Sequence, residues 1–394
     1  MVEGKPVISK RVVTLAIAAT TAGTLPVFLT GALSVQIRAS LHLNKAATGF
    51  LVALFFASAT VTSLTSGRLA EKIGSEMVMK VATALAGINL IGITLFASSF
   101  LWMAVFLAIA GMSNGALQPS VNMFVAGAIP PSRQGFAFGI KQAAIPTATL
   151  LAGLAVPLVA LTIGWRFAYL AAGIFAFVIS FAIPKPTMGH VRLPSGVSAS
   201  GDFSVAPLVM LAFAMALGAG AANAMGAYLV ENAVHVGFNP GDAGLLVVIG
   251  SISGLISRRY SGHRADQRSH GHFKVTAAMV GIGAIGYFMF ASQAVIFLIP
   301  ATVVGYAAGW GWNGLYNFAV VKNHPNAPGR ATGITQSGAY VGSVVGPIAF
   351  GIVVQDVSFS AAWVGAAVLA GLSSIFMVIG RNMLIKSRQT LSPG

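Results

Sequence analysis

Residues 135–146 read GFAFGIKQAAIP, and residues 329–340 read GRATGITQSGAY. The two phrases share Gly, Ala, Gly, Ile and Gln in one register, and a lysine, Lys141, stands in the first where a threonine stands in the second. They lie about 195 residues apart, and other pairs repeat at nearly the same distance. SGRLAEK at Ser66–Lys72 echoes SGHRADQ at Ser261–Gln267, Asn114-Gly115 echoes Asn313-Gly314, and Trp165 echoes Trp363. Matches at near-constant spacing along the whole length predict a duplicated chain of two halves with one plan.

What those halves are made of follows from composition. The 394 residues are 56% hydrophobic and 8% charged, with no cysteine, and mean hydropathy is +0.84. Apolar runs of about 20 residues recur throughout, so the solvent is a bilayer. Twelve spans are expected, at 12–36, 47–66, 78–98, 101–129, 135–162, 167–183, 204–230, 243–257, 275–292, 294–321, 329–354 and 360–380. The first is read as an uncleaved membrane helix, being too long for a signal peptide and lacking a cleavage site. The predicted fold is all-α: twelve transmembrane helices in two pseudo-symmetric six-helix bundles, residues 1–184 and 204–394, joined by a cytoplasmic linker at 185–203.

The formal net charge of +15 raises nucleic acid as a partner, but its placement argues against that. All but four of the 23 Lys and Arg residues fall on the side of the membrane that holds both termini; the exceptions are Arg38, Lys45 and Arg166 opposite and Lys141 within a span. This is the positive-inside pattern, which predicts cytoplasmic termini in a multi-pass protein of the cytoplasmic membrane. The partners implied are the lipid bilayer and a small-molecule substrate, with the chain acting as a monomer.

The stretch Gly67–Lys80, GRLAEKIGSEMVMK, resembles the loop between the second and third helices of the major facilitator superfamily. Gly67, Glu71, Lys72 and Gly74 match that pattern, and the second copy keeps Gly262, Asp266 and Arg268. Ser75 and Glu76 depart from its basic pair. The resemblance implies a transporter whose halves rock about a central site. In it these seven residues would gate the cytoplasmic side: the carboxylates pair with bases or cap helices, and the glycines allow close packing. Loop charges that only obey topology are the plainer alternative.

Glu3, Glu71, Glu76, Asp202, Glu231, Asp242, Asp266 and Asp356 are all the acids, and none falls mid-span. An intramembrane proton carrier is therefore not evident. Two family features of antiporters are also missing: an apolar Leu107 stands near the place of an arginine, and AGLAVP at 152–157 lacks an intact glycine-rich motif. Proton coupling stays open through the substrate itself, Glu231, a histidine or a loop carboxylate. No nucleotide-binding or catalytic motif is present, so no enzyme and no cofactor is expected, and no metal site is expected from the loop histidines.

Lys141 poses the main question. It lies about 9 Å into its span if the helix begins at Gly135, within reach of snorkelling to the interface, or it faces a cavity as a cation. With no membrane carboxylate near it in sequence, an anionic substrate is its natural partner. Gln142 and its repeat mate Gln336 mark the same polar level. Asn114, Gln118 and Asn122 stack at i, i+4, i+8 on the fourth span, and Asn313 and Asn317, with Tyr316 beside them, do so on the tenth. Thr24 by Pro26, and Asn223 and Tyr228 on the seventh span, complete the candidates; interhelical bonding is the alternative for every amide. Spans one, four, seven and ten line the cavity in the family the chain resembles. The function expected is secondary transport of a small organic or inorganic anion, and GIKQAAIP with GWRFAYL resembles the cyanate-permease-like and nitroimidazole-transporter-like branch. Efflux of neutral or cationic drugs, and a non-transporting sensor on the same fold, are the alternatives.

Overall fold

The computed structural model describes residues 10–129, 141–184, 205–266, 271–324 and 328–391. All regular structure among them is helical. In chain order the helices are α1 (Lys10–Ala32), α2 (Ser34–Leu41), α3 (Lys45–Ile73), α4 (Ser75–Phe96), α5 (Phe100–Ala128), α6 (Ala144–Ala155), α7 (Trp165–Ala182), α8 (Val205–His235), α9 (Pro240–Asp266), α10 (His272–Ala291), α11 (Val295–Val304), α12 (Asn313–Asn323), α13 (Pro328–Asp356) and α14 (Phe359–Leu391). A π-helical turn, Val156–Ala160, extends α6, and another, Gly305–Trp310, joins α11 towards α12. Among the described residues eleven helices are long and apolar enough to cross a membrane, with α11 to α12 counted as one, and a shorter apolar helix covers Ala144–Ala160. The protein is a multi-pass membrane protein.

Several boundaries differ from expectation, the last helix among them, which runs to Leu391 where its span was expected to end at 380. The first span is broken at Leu33, after which α2 restarts, while Pro26 sits inside a continuous α1. The second and eighth spans were expected to end at 66 and 257, but α3 continues to Ile73 and α9 to Asp266. Hydropathy falls at the membrane interface, whereas Arg, Lys, Glu and Ala are good helix formers and carry the helix on into water. The signature residues Gly67, Glu71 and Lys72 are therefore helical, and the turn comes at Gly74, whose φ of 93° suits glycine.

Within the first part of the chain α3 packs on α5, α4 on α5 and α7, and α1 on α5, α6 and α7; within the second, α8 packs on α13 and α14, and α10 on α14. The main contacts between the two sets are α3 with α13, α6 with α9, and α1 with α8. Their closest approaches lie towards one face, the one carrying the α1 to α3 link. A Cβ on Gly49 would meet the Pro347 carbonyl oxygen at 2.2 Å, one on Gly31 the Gly226 carbonyl at 2.5 Å, and one on Gly153 the Gly244 carbonyl at 2.8 Å. Small residues let backbones touch where lipid supplies no hydrophobic drive between helices.

Polar ties seal the same face. Arg38 pairs with Glu231, the sole ion pair among the described residues. The Tyr228 hydroxyl donates to the Lys45 carbonyl at 3.0 Å and accepts from the Gly49 amide at 2.7 Å. The Lys45 amide donates to Gln355 Oε1 at 3.0 Å. Each bond crosses between the two sets of helices.

Candidate functional site

The amides of α5 form a ladder because residues four apart share a helical face. Gln118 Nε2 donates to Asn114 Oδ1 at 3.2 Å. Lys141, just before α6, completes the ladder: its Nζ donates to Gln118 Oε1 at 2.9 Å and to Asn122 Oδ1 at 2.8 Å. The lysine is buried, with 5% of its surface exposed. Its bonded partners are neutral amides, and among the described residues no carboxylate forms an ion pair with it. A buried lysine amine held only by carbonyl dipoles has no counter-charge among the described residues, and an anion that reached it would supply one.

Arg258, on α9, borders the lysine. Placed by sequence in a cytoplasmic loop, it belongs to the helix that continues beyond 257. Its Nη1 donates to the carbonyl of Gln142 at 2.9 Å and its Nη2 to the carbonyl of Trp310 at 3.2 Å, while Nε is enclosed without a hydrogen-bond partner. The Trp310 carbonyl is available because the π-helical turn there interrupts the regular ladder; Ser257 Oγ likewise bonds the Ala307 carbonyl at 2.5 Å. Sequence reasoning missed Arg258 because it lies where hydropathy has already dropped. The usable signal was a helix-forming SRRYSGHRAD run continuing an apolar helix.

The remaining candidates lie in other bonds. Asn317 reaches Asn313 at 3.4 Å, both half-buried on α12. Tyr316 donates to the Leu211 carbonyl at 2.8 Å and is fully buried. Asn223 donates to the Ala219 carbonyl at 2.9 Å and to Ser343 Oγ at 3.0 Å, tying α8 to α13. Thr24 bonds back to the Thr20 carbonyl at 2.9 Å. Gln336 is half-buried on α13, beside Thr335, which occupies the lysine's repeat position and bonds within its own helix to Ala331 at 3.2 Å. The structure thus brings Lys141, Gln118, Asn122 and Asn114 into one chain, with Arg258 at its edge.

The major facilitator superfamily model matches residues 13–337. The chain belongs to this superfamily. It is a membrane transporter rather than an enzyme. An uncharacterized MFS-type transporter of Mycobacterium tuberculosis is 25% identical over 320 residues, covering 77% of this chain and 70% of that protein. Quinolone resistance protein NorA of Staphylococcus aureus is 26% identical over 222 residues, covering 54% of this chain and 56% of NorA. The fold matches a D-xylose-proton symporter with TM-score 0.79 at 16% identity, covering 93% of this chain and 96% of that one. It also matches a bacterial homolog of the human lysosomal transporter Spinster, in an inward-facing and occupied conformation, with TM-score 0.72 at 13% identity and 98% of each chain covered.

The superfamily loop lies away from the lysine. Glu71 and Lys72 are exposed at the end of α3, before Gly74. The close packing expected at Gly67 and Gly262 is not made: a Cβ on either would meet open space. The physical reason is that each glycine lies on an outer side of its helix, while the inner side of α3 is packed: Ser66 and Ala70 are buried and Ser66 Oγ donates to the Gly115 carbonyl at 3.1 Å. Asp266 ends α9; Arg268 lies outside the described residues, as do Gly135 to Ile140 of the opening phrase.

Proposed function

We propose that this superfamily member is a secondary transporter that moves a small organic or inorganic anion across the cytoplasmic membrane by alternating access. In this reading twelve spans form two six-helix bundles, residues 1–184 and 204–394, linked by 185–203, with both termini cytoplasmic. The sealed face is then the outer one, and the present conformation opens inward. Two observations support that orientation: the basic residues gather on the termini side, and the glycine contacts between the helix sets lie on the other.

The observation that carries the anion reading is Lys141: a buried ammonium bonded to two neutral amides with no carboxylate to neutralise it. Removing a charge from water is expensive unless a counter-charge arrives, and in a transporter the substrate can supply it. Uptake of radiolabelled carboxylates and inorganic anions into proteoliposomes tests this. Saturable uptake lost in Lys141→Ala is expected; unchanged anion uptake in that variant overturns the assignment.

A second reading, drug efflux, draws on the similarity to NorA. Expression that protects cells against quinolones or cationic dyes, undiminished by Lys141→Ala, would establish it over the first. Proton coupling, for which the D-xylose-proton symporter offers a fold precedent, belongs to either reading. A pH jump across the proteoliposome membrane that leaves uptake unchanged would exclude it.

A further inference from the structure

Lys141, just before α6, and Arg258, on α9, have no ion-pair partner among the described residues. Arg258 bonds the carbonyl of Gln142, the residue next to Lys141. The two basic side chains therefore come from opposite halves of the chain and meet at adjacent residues: Lys141 bonds the amides of α5, and Arg258 bonds the carbonyl of Gln142.

The carboxylate inventory leaves both without an ionic partner. The sequence holds eight acids, and none lies between 130 and 145 or between 243 and 265. Asp266 shares α9 with Arg258 but stands eight residues on, about 12 Å along the axis. Glu231 is taken by Arg38. Carbonyl and amide dipoles hold Lys141 and two nitrogens of Arg258, and Nε of Arg258 has no acceptor. Two basic groups enclosed in one region of the fold have each lost hydration. One negative charge would compensate one of them; two would compensate both. A guanidinium also presents a planar fork that suits a carboxylate or phosphate, whereas an ammonium acts as a point charge.

We propose that the substrate is a small dianion bridging the halves, with one negative group at Lys141 and the amides of Gln118 and Asn122, and the other at Arg258. This rests on Lys141 being the substrate cation and adds the second contact and the charge of the ligand. On binding, the guanidinium exchanges its Gln142 or Trp310 carbonyl for the anion. Because Lys141 precedes α6 and Arg258 belongs to α9, the ligand fastens together two helices that must move relative to one another.

The plainer role for Arg258 is to satisfy carbonyls at the π-helical turn, and the test separates the two. Proteoliposome uptake is measured with labelled succinate, acetate and inorganic phosphate, for the full-length protein and for Arg258→Gln, Arg258→Lys and Lys141→Gln, each checked for monodispersity. The wild type is expected to favour a dianion over acetate. Arg258→Gln should lower dianion uptake about tenfold or more while acetate uptake persists, and Arg258→Lys should raise the dianion KM with little change for acetate. Lys141→Gln should abolish uptake of all three. Dianion uptake through succinate identifies a dicarboxylate, and through phosphate a compact oxyanion. If Lys141→Gln abolishes uptake but both Arg258 variants keep the wild-type preference, the second contact is wrong and the anion site stands. If Lys141→Gln transports normally, the underlying anion reading fails. Should Arg258→Gln not fold, Arg258→Lys carries the test alone, and an unchanged dianion KM in it overturns the proposal.

Discussion

The two faces of the molecule are built from the same kinds of residue but are used differently. On the sealed face Gly49 touches the Pro347 backbone, Gly31 touches Gly226, Arg38 pairs with Glu231, and Tyr228 bonds the start of α3. On the opposite face a Cβ on Gly67 or Gly262, members of a repeated motif, would meet no described residue, and Glu71 is exposed. Glycine content alone does not distinguish the faces; whether the glycine is in contact does. A transporter that alternates needs two closures of comparable free energy, since a few kcal/mol of difference would lock one of them. In the alternating-access reading proposed above, the sealed face is one closure, and Gly67 and Gly262 are candidates for contacts of the other.

The most damaging change should be Gly49→Val. Its Cβ would lie 2.2 Å from the Pro347 carbonyl and 2.7 Å from the Tyr228 hydroxyl, and backbone cannot give way as a flexible side chain can. The sealed face should then stay open and transport should fall by about a hundredfold, as expected when a conformation is disfavoured by ~3 kcal/mol. Accessibility of a cysteine placed on α2 to a membrane-impermeant thiol reagent should rise in parallel. Unchanged accessibility would mean that this contact does not hold the face shut.

Glu231→Gln should come next. It leaves Arg38 facing a neutral amide and removes the one ionic tie between the helix sets among the described residues. The expected loss is about 2 kcal/mol, less than the roughly 3–5 kcal/mol for a fully buried pair because Arg38 keeps some solvent. The measurement is thermal unfolding in detergent, where the midpoint should fall by a few degrees. An unshifted midpoint would make the pair incidental to the closure.

How much of this was legible in sequence depends on which force sets each feature. The all-helical membrane character and the superfamily were readable because hydrophobic length and a repeated loop are local patterns; eleven long apolar helices and a shorter one are found among the described residues, and the family match agrees with the superfamily. The ladder on α5 was readable as a face because Asn114, Gln118 and Asn122 recur every fourth residue. That Lys141 would reach across to it was not, since the choice between snorkelling and an interhelical bond depends on the neighbouring helix. Arg258 was hidden by the hydropathy edge, which marks where the lipid ends and not where the helix ends. Tyr228 was legible as a polar group in a small-residue helix, but its partners, Lys45 and Gly49, are about 180 residues away and only the packed fold supplies them. Amides and hydroxyls report that a bond will be made; the sequence holds no comparable sign of with whom.

A milder change isolates the hydrogen-bonded part of the sealed face. Tyr228→Phe keeps the ring against Phe350 and removes two bonds to the start of α3. Stability should fall by about 1–2 kcal/mol, the net worth of two such bonds. The loss should be smaller than that for Glu231→Gln, and a larger loss would show that the tyrosine rather than the ion pair dominates the closure.

The smallest effect on stability and the most informative on function belong to Gly67→Ala and Gly262→Ala. In the present conformation each added methyl enters open space, and alanine favours a helix over glycine by up to about 1 kcal/mol, so the melting temperature should hold or rise slightly. If the ends of α3 and α9 pack closely when the termini face shuts, the same methyl obstructs that shut state. Transport should then fall severalfold although the resting protein is no less stable. A stability gain with unaltered transport would show that these glycines are not closure contacts, and the likeness between the two faces would end there. A transport loss without a stability loss is an outcome that mere damage to the fold cannot produce, because such damage lowers both.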